Sequence, residues 1–162
     1  MRTFDEIGLK LCRMQAALFA LSASELECSS PIFLRRFMMS RVAARMDQEG
    51  FLYESCSEYN ILEEINEEYG QTVYGKEKYG TEELYWMGYL YRYWCYTYEI
   101  SSKQVYKLVK PKELRGLYYP YHSLDPAQAI ERILESKDIH EEDTIRKGVD
   151  ILRRIKHAQK QR

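Results

Sequence analysis

An all-α fold, a single-domain helical bundle of about six to seven helices, is predicted by three observations. Apolar residues recur at spacings of three and four through most of the chain. Serine, threonine and aspartate stand where these runs begin, and Gly50, Gly70, Gly80, Pro111 and Pro126 fall at their boundaries. At 162 residues the chain can bury about two thirds of its unfolded surface around one core, without a metal or a disulfide.

Thr3 with Glu6 forms a capping-box pattern, followed by Phe4, Ile7, Leu11, Met14, Leu18 and Leu21 on one helical face. Ser30 and Pro31 open a second helix that runs to about Gly50, with Phe33, Leu34, Phe37, Met38, Val42 and Met46 inward. Its opposite face carries Arg35, Arg36, Arg41 and Arg45. From Asp47 to Glu68 the sign reverses, and an acidic helix over 58–69 turns Ile61, Leu62, Ile65 and Tyr69 inward until Gly70. After a loop punctuated by Gly75 and Gly80, Thr81 caps a helix whose first turn holds Glu82 and Glu83.

That helix is aromatic to an unusual degree: Leu84 to Tyr98 contains six tyrosines and both tryptophans. Tyr89, Tyr91 and Tyr93 alternate as in a strand, but Trp94 and Cys95 break the phase and the run is long for a strand, so helix is predicted. Leu84, Gly88, Tyr91, Cys95 and Tyr98 share its inward stripe. Ser101 and Ser102 cap a short helix to about Val109, Pro111 ends it, 112–117 forms a further turn, and 118–122 is a loop. Asp125 and Pro126 start a helix reaching Ser136. Two regions follow: a helical domain over 1–136, and a basic C-terminal helix over 137–162 with Ile145, Val149 and Leu152 at heptad spacing.

Composition narrows the chemistry. A net charge of -1 with 30 % charged residues argues against a uniformly basic nucleic-acid binder, and no run reaches the ~20 apolar residues of a membrane helix. The opening residues place acids where a secretory h-region would begin, so a cytoplasmic location is expected. Cys12, Cys28, Cys56 and Cys95 are scattered singly and read as reduced thiols; His122, His140 and His157 also stand alone, so no metal site is expected. His122, Ser123 and Asp125 are too close in sequence to converge as a triad and read as a turn with a cap. Glu63, Glu64, Glu67 and Glu68 read as a solvated face. The glycines show no phosphate-loop spacing, so no cofactor and no catalytic residue are assigned, and the chain reads as a binding protein rather than an enzyme.

Binding has three candidate surfaces. Tyrosine, tryptophan and arginine dominate protein interfaces energetically, which selects Arg35, Arg36, Arg41 and Arg45 with Tyr85, Tyr89, Tyr93 and Tyr96 as partner-binding residues. The acidic segment after the arginines can pair with them internally. The segment 96–109 has the outline of a helix-turn-helix, in which Lys103, Gln104 and Lys107 would contact DNA. The third is the basic C-terminal helix. The heptad stripes over 4–21 and 145–155 also allow a homodimer seam.

The strings Ser29-Ser-Pro-Ile-Phe-Leu-Arg-Arg-Phe-Met38, Leu84-Tyr-Trp-Met-Gly-Tyr-Leu-Tyr-Arg-Tyr-Trp94, Tyr106-Lys-Leu-Val-Lys-Pro-Lys-Glu-Leu-Arg115 and Tyr118-Tyr-Pro-Tyr-His-Ser-Leu-Asp125 resemble a family of small bacterial antitoxins of toxin-antitoxin modules. The likeness spans roughly residues 1–136. It implies neutralisation of a cognate toxin, in some cases an ADP-ribosyltransferase-type enzyme, by direct stoichiometric binding. A DNA-binding regulator, including an autorepressor of its own operon, is the rival expectation.

Overall fold

The computed structural model describes residues 1–137 and is all-helical over them. Nine α-helices follow one another among the described residues: α1 (Glu6–Glu25), α2 (Ser30–Met39), α3 (Arg41–Met46), α4 (Glu58–Tyr69), α5 (Thr81–Tyr98), α6 (Ser102–Leu108), α7 (Pro111–Gly116), α8 (Tyr118–Tyr121) and α9 (Pro126–Ser136). A 3-10 turn, Phe51–Glu54, lies between α3 and α4. The C-terminal helix expected over 137–162 falls, beyond Lys137, outside the described residues.

Several boundaries differ from the sequence expectation. The cap of α1 is Asp5, whose carboxylate accepts from the Gly8 N–H at 3.0 Å, rather than the Thr3–Glu6 pair. The helix expected from Pro31 to Gly50 is broken at Ser40, which turns extended and starts α3. Its hydroxyl donates to the Phe37 carbonyl at 2.6 Å and accepts from the Ala43 N–H at 3.1 Å, so one side chain ends α2 and caps α3. Gly80, not Thr81, precedes α5, and the Glu83 carboxylate takes the Gly80 N–H at 3.1 Å. Residues 118–121 form one helical turn instead of a loop.

The organising contact is the antiparallel pair α1 and α5. Small residues let the two backbones approach: a Cβ on Gly88 would stand 2.7 Å from the Gln15 carbonyl oxygen and 2.9 Å from the Ala16 Cα, and one on Gly8 would stand 2.7 Å from the Tyr96 ring. Around this pair, α5 also packs on α6, α7, α8 and α9, and α2 lies against α1, α4, α6 and α7. Phe19, Phe33 and Phe37 join α1 to α2 with ring centroids 5.2–6.2 Å apart, two of the three contacts edge-on. The segment between α4 and α5 straps the start of α2: Ser29 and Ser30 donate backbone N–H groups to the Tyr74 and Glu77 carbonyls at 3.1 and 2.9 Å, satisfying amides a helix start leaves unpaired.

One charge sits inside this packing. Arg92 of α5, only 1 % exposed, donates Nε to Gln15 Oε1 at 2.7 Å, Nη1 to Asp47 Oδ1 at 2.6 Å and Nη2 to Ser102 Oγ at 3.0 Å. Gln15 passes its amide on to the Gly88 carbonyl at 3.1 Å, and Asp47 accepts the Ser102 N–H at 2.9 Å and hydroxyl at 2.7 Å. A single guanidinium thus ties α1, the end of α3, α5 and the start of α6, with its donors matched by acceptors on three sides.

Two outcomes follow from this packing. Gly88→Ala gains helix propensity of about 1 kcal/mol but drives a methyl into backbone, so a net loss of about 1–3 kcal/mol is expected in denaturant unfolding. Arg92→Met leaves the Asp47 carboxylate without its cation and should cost about 3–5 kcal/mol. Adding Asp47→Asn should recover part of that loss; additive losses in this double-mutant cycle would show that the two side chains do not interact.

Candidate functional site

A cleft of about 1030 Å³ opens where the start of α1, the α3–α4 connection and the α5–α6 turn meet. Such a volume is at the upper end of small-ligand sites, about 300–1,000 Å³, and admits several side chains at once. Arg92, Asp47 and Cys95 form part of its floor. Ile7 and Tyr53 line it with 54 % and 91 % of their surface exposed, while Leu11, Phe51 and Ile100 provide buried apolar lining.

Local structure explains how the walls are held. The Arg2 N–H donates to the Thr97 carbonyl at 2.7 Å, its guanidinium lies 4.6 Å from the Tyr96 ring centroid, and Nη2 meets Glu49 at 2.9 Å, linking the chain start to the segment after α3. The Tyr96 hydroxyl donates to Asp5 at 2.6 Å. That bond, then the Gly8 N–H, hold the Asp5 carboxyl below the usual carboxylate range. Burial first, then Asp5, push the Tyr96 phenol up to about 12. At the rim, Glu99 ends α5 in the left-handed region at φ 54°, where a non-glycine residue is strained, and its N–H and that of Ile100 both reach the Cys95 carbonyl.

The residues selected from sequence are distributed differently. Of the arginines, Arg45 forms a bidentate pair with Glu64 at 3.0 and 3.1 Å and a further contact with Glu54 at 3.2 Å, Arg41 faces Glu68, and Arg36 donates to the Gly70 carbonyl at 2.6 Å beside the Tyr69 ring. The acidic helix α4 and its flanks therefore occupy three of the four, leaving Arg35 exposed. Tyr85 is 43 % exposed, Tyr89 and Tyr93 are half-buried, Phe4 packs 4.6 Å from the Tyr93 ring, and Tyr96 is buried on Asp5. The tyrosines and the arginines have separate sets of neighbours, and no hydrogen bond, ion pair or ring contact described joins them.

Lys103 and Lys107 are exposed one turn apart on α6. Gln104 is not on their face: only 5 % exposed, it closes the α6 capping box by accepting the Ser101 N–H at 2.7 Å, so it offers no side chain for reading a base edge. In the 118–125 segment, His122 stacks on Tyr118 with centroids 4.4 Å apart and its Nδ1 lies 2.8 Å from the Tyr118 carbonyl, while Asp125 caps α9 through the Ala127 N–H at 2.9 Å. Each of these two side chains is held by its local backbone rather than by the other. Among the described residues no group of three His, Cys, Asp or Glu side chains could hold a metal ion, and no helix is long and apolar enough to cross a membrane. Burial pushes the thiols of Cys12 and Cys95 up to about 12, so both are protonated at neutral pH.

Sequence reasoning missed the cleft residues Asp5, Ile7, Glu49, Tyr53 and Glu99. Ile7 fits the apolar stripe of α1, and only the small-residue face through Gly8 and Ala16 shows that the helix is rotated to leave it outside. Compared with protein-family models, curated sequences and solved structures, the chain matches none of them.

The Asp5–Tyr96 pair sets a pH window. A depressed carboxyl contributes stability above its unfolded value, near 3.8, that is lost as pH falls through the lower folded value. The raised phenol contributes below its unfolded value of 10.0, and that contribution is lost as pH rises toward about 12. Tyr96→Phe should therefore lower the melting temperature most at neutral pH, with the deficit shrinking in strong acid and strong alkali. A pH-independent deficit would mean that the hydrogen bond carries no linkage.

Proposed function

We propose that this chain is an antitoxin-like protein that neutralises a cognate toxin by direct, stoichiometric binding, with the cleft as its docking site. The observation that carries the reading is the pair of exposed apolar side chains, Ile7 and Tyr53, on the lining of an open cleft whose floor is cross-linked by the Arg92 hydrogen bonds. Exposed anchors beside a preformed concavity are what a protein interface needs, because the surface is ordered before the partner arrives. The sequence resemblance supports the same reading and makes an ADP-ribosyltransferase-type enzyme the first toxin to try. Arg35 and Tyr85, exposed on α2 and α5 and outside the cleft lining, are the secondary candidates kept from the sequence-selected set.

In a neutralisation assay with the co-purified toxin, Ile7→Asp with Tyr53→Asp should weaken inhibition by 100-fold or more, since hot-spot anchors cost about 2 kcal/mol or more each. Arg35→Glu with Tyr85→Ala should cost about tenfold or less, as a rim contact does. Inhibition should saturate at a fixed ratio of the two proteins. Full neutralisation by both double variants would overturn the reading. A DNA regulator would instead retain nucleic acid that leaves at high salt and depends on Lys103 and Lys107.

A further inference from the structure

Charge around the cleft indicates what kind of segment fits it. Five carboxylates line the cleft, those of Asp5, Glu6, Asp47, Glu49 and Glu99, against three cations. Two of these cations are already engaged: Arg92 is enclosed by Asp47, Gln15 and Ser102, and Arg2 is paired with Glu49 over the Tyr96 ring. Lys10 is exposed on α1. Glu6 and Glu99 are exposed and have no ion pair with any described residue. The accessible charge of the walls is therefore negative, beside the apolar surface of Ile7 and Tyr53.

Resting on the docking reading above, we propose that the partner inserts a cationic amphipathic segment, with an apolar side chain on Ile7 and Tyr53 and lysine or arginine side chains against Glu6 and Glu99. An anionic or purely apolar segment would meet uncompensated carboxylates, whereas a basic one gains both attraction during approach and selectivity over acidic competitors. Its apolar face would occupy the groove in the manner of a helix laid into a hydrophobic channel.

The probe is a pair of synthetic helical peptides of equal length, with leucine on one face and lysine and arginine, or glutamate, on the other. Titrated into the full chain and followed by fluorescence anisotropy, the basic peptide should bind saturably at one to one and weaken at high salt. Glu6→Gln with Glu99→Gln should weaken it by about tenfold, because each exposed charge contact contributes a few-fold. Glu63→Gln with Glu67→Gln, on the exposed face of α4, should leave it unchanged. Equal binding of the acidic peptide, no binding of either, or an equal loss in the α4 variant would overturn the proposal. If Ile7→Asp with Tyr53→Asp abolishes toxin neutralisation while Glu6→Gln with Glu99→Gln changes neither it nor peptide binding, docking in the cleft stands and the cationic partner does not. If neither pair matters to neutralisation, the docking reading itself fails.

Discussion

The buried guanidinium of Arg92 constrains nearly everything around it. Removing a charge from water costs several kcal/mol unless its donors are met, so an arginine at the centre of α5 dictates where its acceptors must be. Gln15 has to face it from α1, Asp47 from the end of α3, and Ser102 from the start of α6. Those three requirements fix the relative placement of segments separated by up to 77 residues in sequence. They also bring Asp47 to the N–H of Ser102, so the same carboxylate that neutralises the arginine satisfies a helix-start amide.

The close approach of α1 and α5 is the second constraint, and it sorts the aromatic run. With Gly88 pressed on the α1 backbone, Tyr91, Trp94 and Tyr98 turn into the core, where the Tyr91 hydroxyl finds the Val109 carbonyl at 2.6 Å. The other side of the helix leaves Tyr85 outside and Tyr89 and Tyr93 half-covered. A density of phenols that suggests one recognition surface is thus divided between core and surface. The node and the α1–α5 seam end together at one pole of the bundle, and the cleft opens there because the chain start, the turn after α3 and the strained turn at Glu99 surround that pole without filling it.

Much of the fold was legible because short-range signals agree with the tertiary outcome. The cap residues Ser101 and Asp125 mark the starts of α6 and α9, and the inward stripe of α5 lies where its spacing places it. The break at Ser40 was hidden because the apolar period continues through it; only the double use of the hydroxyl ends one helix and starts the next. The candidate site was less legible for the same reason. An arginine in a helix reads as surface unless its acceptors, at positions 15, 47 and 102, are known to converge. For the arginines, internal pairing with the acidic segment and a free partner surface are both open in sequence, and placing α4 beside Arg41 and Arg45 decides for pairing there; Glu99 carries no mark in sequence of its left-handed backbone.

The functional reading depends on the cleft being a preformed feature of a rigid pole, and the backbone amide of Ser102, donated to Asp47, reports on that directly. Native-state hydrogen exchange would measure its opening free energy beside those of amides in the middle of α1 and α5. If the Arg92 node organises the molecule, Ser102 opens only with global unfolding and its protection equals that of the core amides. Exchange of Ser102 at a much lower free energy than Ala16 or Leu90 would show that the floor of the cleft opens independently, contradicting the account.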